Sequence, residues 1–150
     1  MKEIYYTYNN EAIASCVFLA VLRKIGTMDM ARACLILPFL LDDKTVSYLK
    51  NNILTEQNLQ ELTTEQRRLF TSFNKRYLAL LPVAINALLM LHKGGQISIG
   101  KEIADQSTID FDSADFGERF YAIRYAIPNF LALTTNLSTV QLYKILKIQL

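Results

Sequence analysis

Residues 9–26 read Asn-Asn-Glu-Ala-Ile-Ala-Ser-Cys-Val-Phe-Leu-Ala-Val-Leu-Arg-Lys-Ile-Gly. The run Ala12, Ile13, Ala14, Cys16, Val17, Phe18, Leu19, Ala20, Val21 and Leu22 leaves almost no polar face. Asn9 or Asn10 can cap a helix here, because a short side-chain oxygen accepts from the first free amides. Gly26 can end it near Ile25, because glycine accepts the left-handed backbone that closes a helix. A helix apolar all round must be enclosed on every side, by the rest of the fold or by a partner. The segment therefore predicts a helical protein built around its first helix.

Working outward, residues 1–8 are rich in Tyr and Ile and predict a short extended arm. Asp29 can cap a helix over Met30 to Leu41 that Pro38 should kink or interrupt, since proline lacks the amide a helix interior needs. A shorter helix follows from Asp43 to Lys50. Thr63-Thr64-Glu65-Gln66 has capping-box spacing and predicts a helix to about Leu80, with Arg67, Arg68, Lys75 and Arg76 on its exposed side. Pro82 sits where a new helix begins, and Gly94-Gly95 ends that helix. Ile97 and Ile99 alternate with polar residues, as do Ile109 and Phe111, so the two stretches predict an antiparallel ribbon. Ser113 should cap a helix to about Ile127, stopped before Pro128, and Ser138-Thr-Val-Gln141 opens a final helix. The expected fold is mainly α: a single multi-helix domain over residues 1–150 with a small antiparallel β-ribbon. The order of helices before the ribbon is winged-helix-like.

The chain has 150 residues, 51% of them apolar and 20% charged, with five Gly and three Pro. Its mean hydropathy is +0.16. This excludes a disordered chain and a basic nucleic-acid tail. A domain this small has little interior, so the apolar excess implies a subunit that self-associates or exposes an apolar patch to a partner. Cys16 and Cys34 each lie in an apolar run and read as reduced, buried thiols. The start of the chain lacks the basic start and apolar core of a signal peptide. The longest charge-free apolar stretch, Tyr77 to Leu91, is broken by Pro82 and Asn86 and is shorter than the roughly 20 residues a bilayer crossing needs. The expected location is cytoplasmic, away from the membrane.

Chemistry-bearing motifs are scarce. The single histidine, His92, has no carboxylate or second ligand at a defined offset and reads as a residue facing a helix C-terminal dipole. Gly94-Gly95 lacks the further glycines and the Lys-Ser/Thr ending of a phosphate loop. Asp110-x-Asp112 could offer one face to a hard cation but lacks the glycine and distal Glu of a calcium loop. The expectation is a non-enzyme with no cofactor, metal or catalytic residue. Charge falls in blocks: −2 over residues 1–65, +6 over 66–101, −6 over 102–118 and +4 over 119–150. The +6 block opens an alternative reading as a winged-helix-like nucleic-acid-binding regulator. That reading needs Arg, Lys, Asn or Gln on the helix before the ribbon. Residues 82–92 offer only Asn86 and His92, so this helix reads as core and nucleic-acid binding is expected to be weak or absent.

Four stretches together carry a family resemblance. They are Tyr8-Asn9-Asn10 before the first helix; Leu35-Ile36-Leu37-Pro38-Phe39-Leu40-Leu41 with Lys44-Thr45 and Leu49; the helix pair over Arg76 to Leu91 with the Gly94-Gly95 turn; and Phe116-Gly117-Glu118-Arg119-Phe120 with Ser138 to Leu146. In their order and spacing the sequence resembles the middle component of bacterial three-component ABC systems. It departs at Glu11, where that family shows Pro, and at Asp42-Asp43, which replaces a His-containing turn. The resemblance implies a non-catalytic connector that couples an ABC-type ATPase to a third component, in bacterial conflict or phage defence. Candidate partner contacts on the matching arm and turn are Tyr8, Asn10, Asp43 and Thr45. Each also has a local use: Asn10 as a cap, Asp43 and Thr45 at a helix start, Tyr8 packing the arm.

Overall fold

The computed structural model describes residues 8–52 and 58–150. The extended arm expected over residues 1–8 thus lies outside the described residues except for Tyr8, which is helical. The fold is mainly α with a small antiparallel sheet.

Helix α1 (Glu11–Ile25) is capped by Asn10, whose Oδ1 accepts from the amides of Ala12 (3.0 Å) and Ile13 (3.2 Å). It ends at Gly26 with φ 83°, the left-handed turn expected of glycine. Ala14 and every residue from Val17 to Leu22 are buried. The fold itself encloses most of this helix, with the helices Phe73–Lys93 and Glu118–Thr134 packed on it. After β1 (Thr27–Met28), Asp29 caps α2 (Met30–Ala33). The chain then breaks at Cys34-Leu35 and resumes as α3 (Ile36–Leu40). The interruption expected of Pro38 falls one turn before it, where the carbonyl its missing amide would have served lies. All five residues of α3 are buried. Phe39 touches the rings of Phe73 (4.9 Å), Phe130 (5.1 Å) and Phe70 (6.0 Å), so α3 is wedged between helices from both sides of the molecule. Helix α4 (Asp43–Asn51) follows and packs on the helix Glu118–Thr134.

Four helix boundaries differ from the sequence reading. The capping box at residues 63–66 is not used. Asn58 caps α5 (Leu59–Glu65) first, and the Thr63 and Thr64 hydroxyls donate back to the Gln60 carbonyl instead. A short α6 (Arg67–Phe70) leads into α7 (Phe73–Lys93), which runs straight through Pro82. Likewise α8 (Glu118–Thr134) starts five residues after Ser113 and continues through Pro128. Both prolines are exposed, on the side of each helix away from the core. The buried rows on either side, such as Leu80, Val83, Ala84, Ala87 and Leu88 in α7, hold the helix together. At the end of α7, Gly95 (φ 73°) completes the six-to-one closure, with the Gln96 amide on the Leu91 carbonyl at 2.9 Å.

The ribbon's first strand forms where expected, but its partner strand lies closer in sequence than Ile109 and Phe111. Strand β2 (Ile97–Ile99) pairs with β3 (Ile103–Asp105), and β1 adds to the other edge of β3, giving the order β1-β3-β2. Ile109 and Phe111 belong to the loop that follows and pack inward without pairing. Arg23 holds this loop: it donates to Asp105 Oδ2 (3.0 Å), Ser107 Oγ (2.8 Å) and the Ile109 carbonyl (2.8 Å). Alternation alone does not distinguish a strand from a loop pinned at every other residue. Burial opposes the Asp105 carboxylate, but hydrogen bonds from Ser107 and Arg23 outweigh it and hold the pKa below its usual value. The stability this adds is complete above the unfolded pKa of about 3.9 and fades as pH falls through the lower folded value. Denaturant titrations of wild type and Asp105→Asn should thus differ by a constant amount above about pH 5 and converge in stronger acid.

The last helix, α9 (Thr139–Ile145), carries the expected capping box between Ser138 and Gln141. Its start is tied back to α2, where Thr139 Oγ1 donates to Asp29 Oδ2 (2.7 Å). Arg32 reaches the carbonyls of Thr134 (3.0 Å) and Leu137. Both cysteines are free. Cys34 is buried, Cys16 is half-buried, and burial raises both thiols above their ordinary pKa.

Candidate functional site

Two surface features stand out. The first is a junction built on Arg119, in the first turn of α8. Gly117 precedes it with φ 90° and ψ 158°, a backbone state essentially confined to glycine, and Asp115 Oδ1 fixes this turn by accepting from the Gly117 amide (2.8 Å). The bend delivers Arg119 to the carbonyls of Tyr8 (2.6 Å) and Leu41 (3.2 Å) and to Asn9 Oδ1 (2.5 Å). Its guanidinium lies 3.6 Å from the Tyr8 ring centroid, and Asp43 is 3.7 Å away. Tyr8 in turn donates its hydroxyl to Asp43 Oδ2 (3.1 Å). Burial raises the Tyr8 phenol and the Asp43 carboxylate adds to the shift, against Arg119, so Tyr8 is a protonated donor at neutral pH. Asn9, 3% exposed, is a buried amide whose oxygen this arginine satisfies.

Two of the four candidate partner contacts, Tyr8 and Asp43, thus meet on the surface. The other two do different work. Asn10 is spent on the α1 cap, as its local use predicts. Thr45 is 1% exposed and donates to Asp42 Oδ2 (2.6 Å), which closes it to any partner. Arg119 is the member that the candidate list lacks. Its presence inside Phe116-Gly117-Glu118-Arg119-Phe120 is the only signal for it, since its partners lie 76 to 111 residues away.

The basic candidates divide in the same way. Arg67, Arg68 and Lys75 are exposed, but Arg76 is drawn inward. It donates to the carbonyls of Pro38 (3.1 Å) and Leu69 (3.0 Å) and to Ser72 Oγ (2.9 Å), with Asp42 at 3.8 Å. Arg76 therefore staples α7 to α3 and is not part of a basic face. Arg67 and Lys147 edge an open cleft of about 600 Å³. The threonine hydroxyls beside them, Thr63, Thr64 and Thr71, already donate to backbone carbonyls of the preceding turn. Asp110 and Asp112 do not form a carboxylate pair facing one point: Asp110 Oδ1 accepts from the Asp112 amide, and Asp112 pairs with Arg124 at 2.7 Å. Among the described residues no three His, Cys, Asp or Glu side chains come together as a metal-holding group.

The second feature is the outer side of α7. Leu80, Val83, Ala84, Ala87, Leu88 and Leu91 face the core, yet Leu78, Ile85, Leu89 and Met90 are 45–58% exposed. The helix read as core from residues 82–92 is core on one side only. Leu78, Pro82, Ile85 and Leu89 follow each other at intervals of four, three and four residues, so they form one apolar stripe about 16 Å long. No Asp or Glu occurs between Phe73 and Lys93. The helix that would enter a DNA groove in a winged-helix reading thus presents hydrocarbon where base-reading side chains are needed. Among the described residues, no helix is long and apolar enough to cross a membrane.

Fold and surfaces together define a mainly helical protein with a small sheet, an arginine-pinned N-terminal junction and one exposed apolar helix face. The chain belongs to the ABC-three component (ABC-3C) system Middle Component 3 family, whose family model matches residues 3–149. No curated protein and no solved structure matches it.

Proposed function

We propose that the protein is a non-catalytic connector of its three-component system, joining an ABC-type ATPase to the third component through protein–protein contacts in the cytoplasm, in a conflict or phage-defence response. The observation that carries this reading is the exposed apolar stripe on α7. A chain this small leaves large apolar side chains in water at regular helical spacing only where something else covers them. Family membership supplies the setting, since a middle component works with other components. The test is co-expression of the three components followed by size-exclusion chromatography with light scattering. The expected result is one complex containing all three; a chain that elutes alone from both others contradicts the connector role.

The nucleic-acid reading retains Arg67, Arg68 and Lys75 as its support. Three phosphate contacts would give a log–log salt slope of about −2.7, and with no base-reading residues the binding would be blind to sequence. Titrating labelled duplexes of different sequence at ~150 mM salt should therefore show little binding. Tight binding that discriminates between duplexes would favour the regulator instead.

A further inference from the structure

The α7 stripe has a rim that specifies its occupant. Lys75 lies three residues before Leu78 and Lys93 four after Leu89, so both share the stripe's side of the helix, and both are exposed. From Lys75 through Leu78, Pro82, Ile85 and Leu89 to His92 the intervals alternate three, four, three, four, three. This is the 3.5-residue period of a coiled-coil seam, distinct from the 3.6-residue pattern that buries the opposite side. Such a seam is complementary to one shape, a second helix laid along it with its own apolar knobs between these side chains.

Charge then selects the kind of helix. Glu11, held by Asn86 at 3.3 Å, and Asp42, held by Arg76, are carboxylates that pair with α7 away from the two lysines. Lys75 and Lys93, about 27 Å apart, form no ion pair or hydrogen bond among the described residues. A second copy of the chain would fit badly. Antiparallel, Lys75 of one copy would face Lys93 of the other; parallel, each lysine would face its own counterpart. Both arrangements set like charges at both ends of the seam.

We infer that α7 is the docking seam for an amphipathic helix of a different protein, about five turns long, with an apolar stripe between two acidic ends. This deepens the connector reading and rests on it for the presence of a partner component, but it is testable without that component.

The probe is a fluorescein-labelled helical peptide of about 20 residues, with Leu at the seam positions, Gln and Ala elsewhere and Glu at both ends. A control peptide carries Lys at both ends, and both are kept dilute enough to be monomeric. Anisotropy titrations against the full chain are run at about 50 mM salt so that rim charges are felt. The Glu-ended peptide should bind about tenfold more tightly than the Lys-ended one, and Lys75→Glu with Lys93→Glu should reverse that preference. Ile85→Glu, a change at an exposed position, should remove binding of both while leaving the circular dichroism spectrum unchanged. The chain alone should sediment as a monomer. Equal binding of the two peptides, no binding by a folded wild-type chain, or a dimer that Ile85→Glu dissociates would each overturn the inference. If the peptide binds as stated while the three components never assemble, the connector reading fails and the seam stands. If they assemble while the peptide ignores charge, the seam assignment fails alone.

Discussion

Replacing Phe39 by alanine should lower stability by about 4 kcal/mol, the middle of the range for an aromatic removed from a packed core. The ring is 1% exposed and meets Phe70, Phe73 and Phe130 edge-on at 4.9–6.0 Å. It lies where α3 joins α7 to α8, so neighbours on both sides lose contacts and cannot collapse into the gap without separating from each other. For a chain of this length the change is a fall in Tm of roughly 8–16 °C, readable by thermal circular dichroism. Phe39→Leu fills most of the space and should lose less than half as much. This accounts physically for the apolar run Leu35 to Leu41. Its five helical residues are all buried, and one of them joins the two sides of the core.

Arg119→Ala should be the next most damaging change, at about 3 kcal/mol or roughly 6–12 °C in Tm. The substitution removes three hydrogen bonds and the stacking on Tyr8, and it leaves the buried Asn9 oxygen without this donor. Arg119→Lys should recover only part of the loss, because a point ammonium cannot serve three separated acceptors as a planar fork does. The same experiment separates the two surfaces of the molecule. Arg119 acts on the N-terminal junction, whereas α7 packs on α1 and α3, so the α7 seam should survive where the variant remains folded.

Caps and stops were legible because each is a local bargain between one side chain and the next few amides. Asn10, Asp29, Gly26, Gly95 and the Ser138–Gln141 box all act within a few residues of their position. The proline boundaries failed for a tertiary reason: Pro82 and Pro128 lie on exposed sides of helices whose opposite rows are buried, and packing outweighs one lost backbone bond. Asn58 made the later Thr63–Gln66 box redundant, and nothing near that box announces it.

Arginine roles were not legible at all. Arg76 reads as exposed charge and nothing in the sequence assigns a role to Arg23 or Arg32, yet these three and Arg119 each join a helix to a distant segment by donating to backbone carbonyls. A carbonyl carries no sequence signature, so only the fold reveals such a partner. The α7 seam was hidden for the opposite reason. A helix apolar on every side gives no sign of which side the core takes. Once Leu80, Ala84, Ala87 and Leu91 are placed inside, the alternating three-and-four spacing of Leu78, Pro82, Ile85 and Leu89 becomes visible.

The docking of another component of the system on the outer side of α7 carries the proposal. Its most direct test is light-scattering chromatography of the three co-expressed components, with the wild-type chain or with Ile85→Glu and Leu89→Glu together. Both positions are about half exposed, so the variant should fold with the wild-type circular dichroism spectrum and a Tm within a few degrees. The double variant should lose at least one component from the complex that wild type retains. A complex of unchanged mass and composition, formed by a chain with two glutamates on that stripe, would contradict it.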